Sequence, residues 1–300
     1  MDFSKVSRIA LPYALAFARE SGACVTLLHV VPTKNSASAG ADDLELEEEL
    51  RRGGATQLSA LIQALAGNEV SADMLVRIGN PTVETVHAAK ELKADLIIIS
   101  THGRTGLRHL LLGSVAEGVM RHSPCPVLVV RKREHGFLTF GGHAELPYPF
   151  LQIKSILVPI DFSAPSKNAL IYAAPFAQQF GAKLILLHVV ERGARSDLVK
   201  AFPLMMKNDK IMAACQGRLE HIIAEQAIDP KLVETTLVRQ GRSFREIVDT
   251  ARTLKADLII ISTHGYTGLK RALLGSTTKG VMRHAPCPML VVREREREFV

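Results

Sequence analysis

Short apolar runs alternate with longer amphipathic stretches along the whole chain. In the second half, the apolar runs predict five strands, at residues 156–160, 184–190, 232–239, 258–262 and 289–292. The stretches between them predict helices, at residues 163–180, 197–226, 244–254 and 277–284. Gly181 stands where a C-terminal helix signal is expected. Continuous Val, Ile and Leu runs alternating with helices are typical of a parallel sheet covered on both faces.

The chain contains an internal duplication of this whole pattern. Asp-Phe-Ser at residues 2–4 recurs at 161–163, and Leu-Leu-His-Val-Val at 27–31 recurs at 186–190. Residues 92–131 match residues 254–293 with 31 identities in 40 positions. The duplication predicts two α/β domains in tandem, each a doubly wound, three-layer sandwich of the Rossmann-like kind.

We place the first domain at residues 1–131, a linker at 132–152 and the second domain at 153–294. The linker is predicted from His-Gly at 135–136, Gly-Gly at 141–142 and Pro-Tyr-Pro at 147–149, because these glycines and prolines break any regular pattern. Residues 9–18 look like the apolar core of a signal peptide. A similar segment recurs in mid-chain at 169–177, so a helix is expected in both places.

Composition excludes several classes of protein. The net charge of +7 is spread along the 300 residues, without the dense basic stripe of a nucleic-acid reader. The four cysteines have no zinc spacing, which favours buried thiols in a reducing compartment and predicts no metal site. No apolar run approaches the ~18 residues that a membrane span needs. We therefore expect a globular, cytoplasmic protein that binds neither nucleic acid nor membrane.

A glycine-containing loop follows the fourth strand of each half. Ser-Thr-His-Gly at 100–103 is followed by Gly-Ser at 113–114, and the pattern repeats at 262–265 and 275–276. Glycine lets a backbone approach phosphate closely, and the start of the next helix favours an anion. Tight turns copied by the duplication are the alternative. His102 and His264 are predicted to be solvated loop residues.

The helix that follows this loop has a predicted capping box in the first half. Ser114 is the expected N-cap, and Glu117 stands three residues further on. In the second half, Ser276 is followed by Lys279 at the same spacing. The second helix start is therefore expected to be the more positive of the two.

The spacing resembles the universal stress protein family, and the resemblance covers both halves. ATP-binding members carry Gly, two residues, Gly, nine residues, then Gly and Ser or Thr. Gly103 and Gly265 are each followed by nine residues and Gly-Ser. Val-Pro-Ile-Asp-Phe-Ser at 158–163 and the two Pro-Cys-Pro endings are also similar to the family. Serine replaces the first motif glycine, and its backbone N–H can still contact phosphate or ribose where φ is negative.

The resemblance implies an adenine-nucleotide α-hydrolase-like fold that binds ATP, with or without Mg. It implies that Asp161 lies near adenine and ribose, that Val189 contacts adenine, and that glycines and serines of the loop hold the phosphates. In the second half the implied set is Asp161, Val189, Ser262, Gly265, Gly275 and Ser276. The matching set in the first half is Asp2, Val30, Ser100, Gly103, Gly113 and Ser114.

The favoured function is an ATP-binding stress-response regulator with at most slow hydrolysis. The sequence has no Walker lysine and no nucleophile elbow, and it predicts no catalytic residue. A non-nucleotide interaction module of the same fold remains an alternative. An adenylating enzyme is another, although it would need a second substrate pocket. Fold alone does not decide between them.

Two expectations concern assembly and the start of the first domain. The two domains are expected to pair through their last strands, 127–130 and 289–292, because these runs are apolar, short and near a sheet edge that needs covering. The resemblance implies a similar dimerisation, and a homodimer of whole chains is left open because no residue indicates it. The second half has a strand at 156–160 directly before Asp161, whereas only Met1 precedes Asp2. We expect one of three explanations: a natural start upstream of Met1, a linker segment at 137–140 that fills the strand position, or a degenerate first domain.

Overall fold

The computed structural model describes residues 1–33, 41–65, 70–101, 113–131, 136–140, 149–191, 208–263 and 274–293. The chain divides into two compact units. The first is Met1–Lys132 with Leu138–Gln152, and the second is Arg133–Phe137 with Ile153–Val300. Each unit has α/β architecture, as the alternation of apolar runs predicts.

The first unit contains three pairs of strands among its described residues. The strands are β1 (Val25–Val31), β2 (Ala72–Ile78), β3 (Ile97–Ser100), β4 (Val127–Val130), β5 (Leu138–Phe140) and β6 (Pro149–Leu151). The first two are parallel, as are the next two, whereas β5 and β6 form an antiparallel hairpin. The helices are α1 (Ala10–Ser21), α2 (Ala41–Leu65), α3 (Pro81–Glu91) and α4 (Ser114–His122).

The hairpin corrects the prediction of a linker without regular structure. It packs against α1. In the part of the chain that the structure describes, β5 pairs with β6 alone. The expectation that residues 137–140 fill the strand position before Asp2 is therefore wrong.

Among its described residues, the second unit contains one five-stranded parallel sheet in the order β11-β10-β7-β8-β9. Its strands are β7 (Ser155–Pro159), β8 (Lys183–Val190), β9 (Val233–Gln240), β10 (Leu258–Ser262) and β11 (Met289–Val292). Its helices are α5 (Ala164–Phe180), α6 (Asn208–Glu225), α7 (Ser243–Thr253) and α8 (Ser276–His284). The order reverses at β7, so right-handed crossovers place helices on both faces. The predicted doubly wound sandwich is confirmed.

The central strand β7 explains why this sheet is stable. Ile156, Leu157 and Val158 are fully buried, because helices cover both faces of the sheet. Ile156 pairs with Leu184 on one side and with Leu258 on the other. The strand thus joins the two halves of the sheet into one core.

A buried carboxylate fixes the start of β7. One oxygen of Asp257 accepts hydrogen bonds from the backbone N–H groups of Lys154 at 2.8 Å and Ser155 at 3.0 Å. Asp257 is only 8% exposed. Its counterpart in the duplication, Asp95, is exposed. The same residue type therefore has different surroundings in the two units.

Candidate functional site

The carboxyl ends of β7 and β10 bring the predicted site of the second unit together. The two strands are adjacent and parallel, so the residues that follow them emerge at the same edge of the sheet. The backbone N–H of Gly275 donates to the carbonyl oxygen of Thr263 at 2.9 Å, which holds the start of α8 beside the end of β10. The hydroxyl of Thr278 donates to the carbonyl oxygen of Ser262 at 2.9 Å. Asp161, Ser262 and the start of α8 thus share one edge.

Asp161 is held in place by the first residues after it. Its Oδ1 accepts hydrogen bonds from the backbone N–H of Ser163, at 3.0 Å, and from the hydroxyl of the same residue. Its own N–H donates to the hydroxyl of Ser166 at 3.3 Å. Ser163 is also the N-cap of α5, since its hydroxyl oxygen accepts from the N–H of Ser166. The carboxylate is therefore oriented before any ligand arrives.

A stack of three side chains lies beside this carboxylate. The ring of Phe162 is tilted against the ring of His188, with centroids 4.2 Å apart. The guanidinium carbon of Arg218, on α6, lies 4.3 Å from the centre of the Phe162 ring. A cation over an aromatic face is attracted by the ring quadrupole. Phe162 itself has a φ of 67°, an unusual conformation for a large residue that turns the chain sharply out of β7.

His188 is buried in β8. Since the carbonyl oxygen of Ile160 can only accept, Nδ1 of His188 carries the proton and donates to it at 2.7 Å. Burial lowers the pKa of His188 below its ordinary value of 6.5, and the nearby Arg218 lowers the pKa further. The bond to Ile160 and the charge of Asp161 oppose this shift. Val189, the next residue on β8, is half-buried.

The lowered pKa of this buried histidine predicts a loss of stability in mild acid. The unfolded chain protonates its histidine below about pH 6.5, whereas the folded chain binds that proton less readily. The free energy of unfolding should therefore fall as pH drops from 7.5 to 5.5. Urea unfolding across this range should show a weaker pH dependence for His188→Gln than for the unmodified protein. Equal pH dependence in both would contradict the assignment.

The first unit repeats much of this geometry. Oδ1 of Asp2 accepts from the N–H of Ser4 at 3.0 Å. Phe3 has a φ of 60°, and its ring centroid lies 4.6 Å from that of His29. The N–H of Gly113 donates to the carbonyl oxygen of Thr101 at 2.8 Å. Asp2, Gly113 and Ser114 thus have surroundings like those of their counterparts.

Both helix starts differ from the prediction in one respect. The N-caps of α4 and α8 are Gly113 and Gly275, and Ser114 and Ser276 are the first helical residues. Among the residues that the structure describes, no side chain caps either helix start. The capping box is therefore wrong, because serine stands one position too late to act as N-cap.

Glu117 of the predicted box binds Arg121 instead, one helical turn further on, at 2.8 Å. The first turn of α8 contains no acidic residue. Without a side-chain cap, the backbone N–H groups at both helix starts are suited to an anionic ligand.

The two serines at the first motif position take an ordinary backbone conformation. Ser100 and Ser262 end β3 and β10 and are buried. Neither is among the residues with positive φ. Serine is therefore unstrained there. Val30 is half-buried at the end of β1. Gly103, Gly265 and the loop histidines 102 and 264 lie outside the described residues.

Sequence reasoning missed the aromatic stack and Arg218. The recurrence of Asp-Phe-Ser and Leu-Leu-His in both halves was a signal for the stack, although nothing indicated a contact between them. In the described part of the chain, no group of three His, Cys, Asp or Glu side chains is placed to hold a metal ion. None of the helices described there combines the length and hydrophobicity needed to cross a bilayer.

Comparison with known proteins gives the same family for both halves of the chain. The profile of the Universal stress protein family matches residues 1–131 and 152–293. A universal stress protein of Mycolicibacterium smegmatis is 26% identical over 300 residues, covering 98% of this chain and 96% of that protein. One from Methanocaldococcus jannaschii is 38% identical over 135 residues, covering 44% of this chain and 78% of that protein. The crystal structure of a universal stress protein from Archaeoglobus fulgidus superposes on this chain with a TM-score of 0.65 and 20% sequence identity. The match covers 98% of this chain and 94% of that one, so the two folds are similar.

Proposed function

The chain belongs to the universal stress protein family, and from this premise we propose that it is a stress-response regulator that binds ATP, with or without Mg, and hydrolyses it slowly at most. The observation that carries the proposal is the shared edge in the second unit. There, an oriented carboxylate at Asp161 and the uncapped start of α8 follow two adjacent strands. A carboxylate suits the hydroxyl and amino groups of a nucleoside, and a helix start suits its phosphates.

The second unit is proposed to bind more tightly than the first. The start of α8 carries Lys279 where α4 carries Glu117, so the field at α8 is more favourable to a polyphosphate. The loop that holds Asp161 is also anchored to a complete sheet, because β7 pairs on both sides. Less of the binding energy is then used in ordering the site.

Slow turnover follows from the groups beside Asp161. The His188 ring is buried and stacked against Phe162, which shields it from water. It is therefore poorly placed to activate a water molecule. Fast phosphoryl transfer also needs a cation that stabilises the negative charge developing on the phosphoryl group. A Walker lysine would supply it, and the sequence has none.

Calorimetry with Mg-ATP on the full chain tests the proposal. We expect saturable binding with a dissociation constant on the order of 1 mM or tighter and with one dominant site. Mass spectrometry of ligand released from freshly purified protein should detect an adenine nucleotide. No binding in either experiment would favour the interaction module without nucleotide. Two sites of equal affinity would contradict the ranking of the two units.

A further inference from the structure

The candidate site of the second unit runs along one edge of its sheet, from the start of α8 toward the end of β9. Four strands stand there in the order β10, β7, β8, β9, each about 4.8 Å from the next. The start of α8 lies beside the end of β10, and Asp161 follows β7. A nucleotide with its phosphates at α8 and its ribose at Asp161 therefore has its base over the end of β8, about 10 Å from β10.

The side chains at the end of β8 alternate between the two faces of the sheet. His188 lies on the face of α6, since the Phe162 ring that packs on it also contacts Arg218 of α6. Alternation places Val189 and Glu191 on the opposite face. Helix α7 lies on that face and packs against β8, and the N–H of its first residue donates to Oε1 of Glu191 at 2.8 Å. Glu191 thus stands directly beyond Val189, on the side of β9.

The Glu191 carboxylate has an oxygen to spare. Glu191 is the first residue after β8 and is exposed. Its Oε1 accepts the N–H of Ser243, whereas no group in the described part of the chain donates to its Oε2. The carbonyl oxygen of Val190, directly before it, accepts from the N–H of Gly241, which ties this end of β8 to the end of β9. The result is a charged acceptor on an anchored backbone, suited to an N–H group of a ligand.

The first unit has no such acceptor. Pro32 follows β1 where Glu191 follows β8. Helix α3 is capped by its own Asn80, whose side-chain oxygen accepts from two N–H groups of the first turn. In the second unit Arg242 replaces Asn80, and the carboxylate of Glu191 takes over the start of α7. This capping engages one carboxylate oxygen and leaves the second for a ligand.

We propose that Glu191 selects adenine over purines that carry a carbonyl oxygen in place of the amino group, an inference that rests on the proposed nucleotide binding. The amino group of adenine is on the edge of the base farthest from the ribose. That edge extends past Val189 toward Glu191, where the amino group donates to the carboxylate. A carbonyl oxygen at the same place would face the carboxylate, and both acceptors would then lack a donor.

Calorimetric titration of the full chain with Mg-ATP and with Mg-ITP tests this role. ITP differs from ATP only at this edge of the base, with a carbonyl oxygen in place of the amino group and a proton on the adjacent ring nitrogen. We expect ATP to bind the dominant site at least about tenfold more tightly than ITP. In Glu191→Gln the ratio should fall to about threefold or less, because an amide can also donate to the carbonyl oxygen.

Two controls separate base selection from capping and from net charge. Glu191→Gln keeps an oxygen for the N–H of Ser243, so hydrogen exchange at that N–H should match the unmodified protein. Glu234→Gln, at an exposed position near the amino end of β9, removes the same charge and should leave the ratio of ATP to ITP affinity unchanged.

The outcomes distinguish this role from the proposed function. Equal affinity of the unmodified protein for ATP and ITP would overturn the role of Glu191 while ATP binding stands. A ratio that Glu191→Gln leaves unchanged, or changes no more than Glu234→Gln does, would overturn it in the same way. Absence of binding by both nucleotides would overturn the proposed function and this role with it.

Discussion

Asp257→Ala is expected to lower the free energy of unfolding of the second unit by about 2–4 kcal/mol. The carboxylate accepts two backbone N–H groups, from Lys154 and Ser155, and is buried. A buried N–H left without a partner costs about 1–3 kcal/mol, and these two N–H groups are partly buried. Because both groups belong to the start of the central strand, their loss should loosen β7 from β10 as well as from β8.

Asp95→Ala is the matched control. It removes the same side chain from the corresponding position of the duplication, where the carboxylate is exposed. Its effect should stay within about 0.5 kcal/mol. Urea unfolding, together with hydrogen exchange of β7 and β10, separates the two variants. Equal destabilisation by both variants would show that the two hydrogen bonds of Asp257 stabilise the protein no more than the exposed carboxylate of Asp95 does.

The strands of the second unit were predictable because they are buried on both faces. A continuous apolar run such as 258–262 leaves a strand or a buried helix as the only choices, and five residues are too few for a helix. The observed β10 and β11 have the predicted bounds, Leu258–Ser262 and Met289–Val292. Because the duplication repeats the same pattern in the first half, both halves predict the same fold class.

Features that depend on distant contacts were not predictable. Asp257 lies in a polar turn, Lys-Ala-Asp, that looks solvated until the start of β7 is placed against it. The hairpin of β5 and β6 depends on packing against α1 rather than on local pattern. The capping box failed by one residue, because backbone dihedrals and not the identity of the serine decide which residue is the N-cap.

The sequence indicated which residues form the candidate site, but it did not indicate the contacts among them. The glycine-serine pair after the fourth strand identified the helix start, because such a start is a general anion site. The Phe162, His188 and Arg218 stack joins residues from three elements, and no spacing in the sequence relates them. The stack restricts the movement of the His188 ring, which limits the use of this ring as a base in the proposed ATP hydrolysis.

Gly275→Val is expected to abolish the dominant ATP-binding event while the fold persists. Gly275 has a φ of −56° and a ψ of 147°, which valine adopts readily, so the backbone is not strained. Its N–H donates to Thr263, a bond that valine retains. The branched side chain would instead occupy space at the uncapped start of α8, where the phosphates are proposed to bind. We expect at least about a tenfold loss of affinity, equivalent to about 1.4 kcal/mol.

Gly113→Val makes the same change at the N-cap of α4, where φ is −61° and ψ is 131°. Because the second unit is proposed to be the tighter site, this variant should keep the dominant calorimetric transition with Mg-ATP and lose only weaker binding. Thermal unfolding of both variants should match the unmodified protein, which separates lost binding from lost structure. A dominant transition that survives Gly275→Val but disappears with Gly113→Val would reverse the assignment. Survival of that transition in both variants would mean that ATP does not use these helix starts.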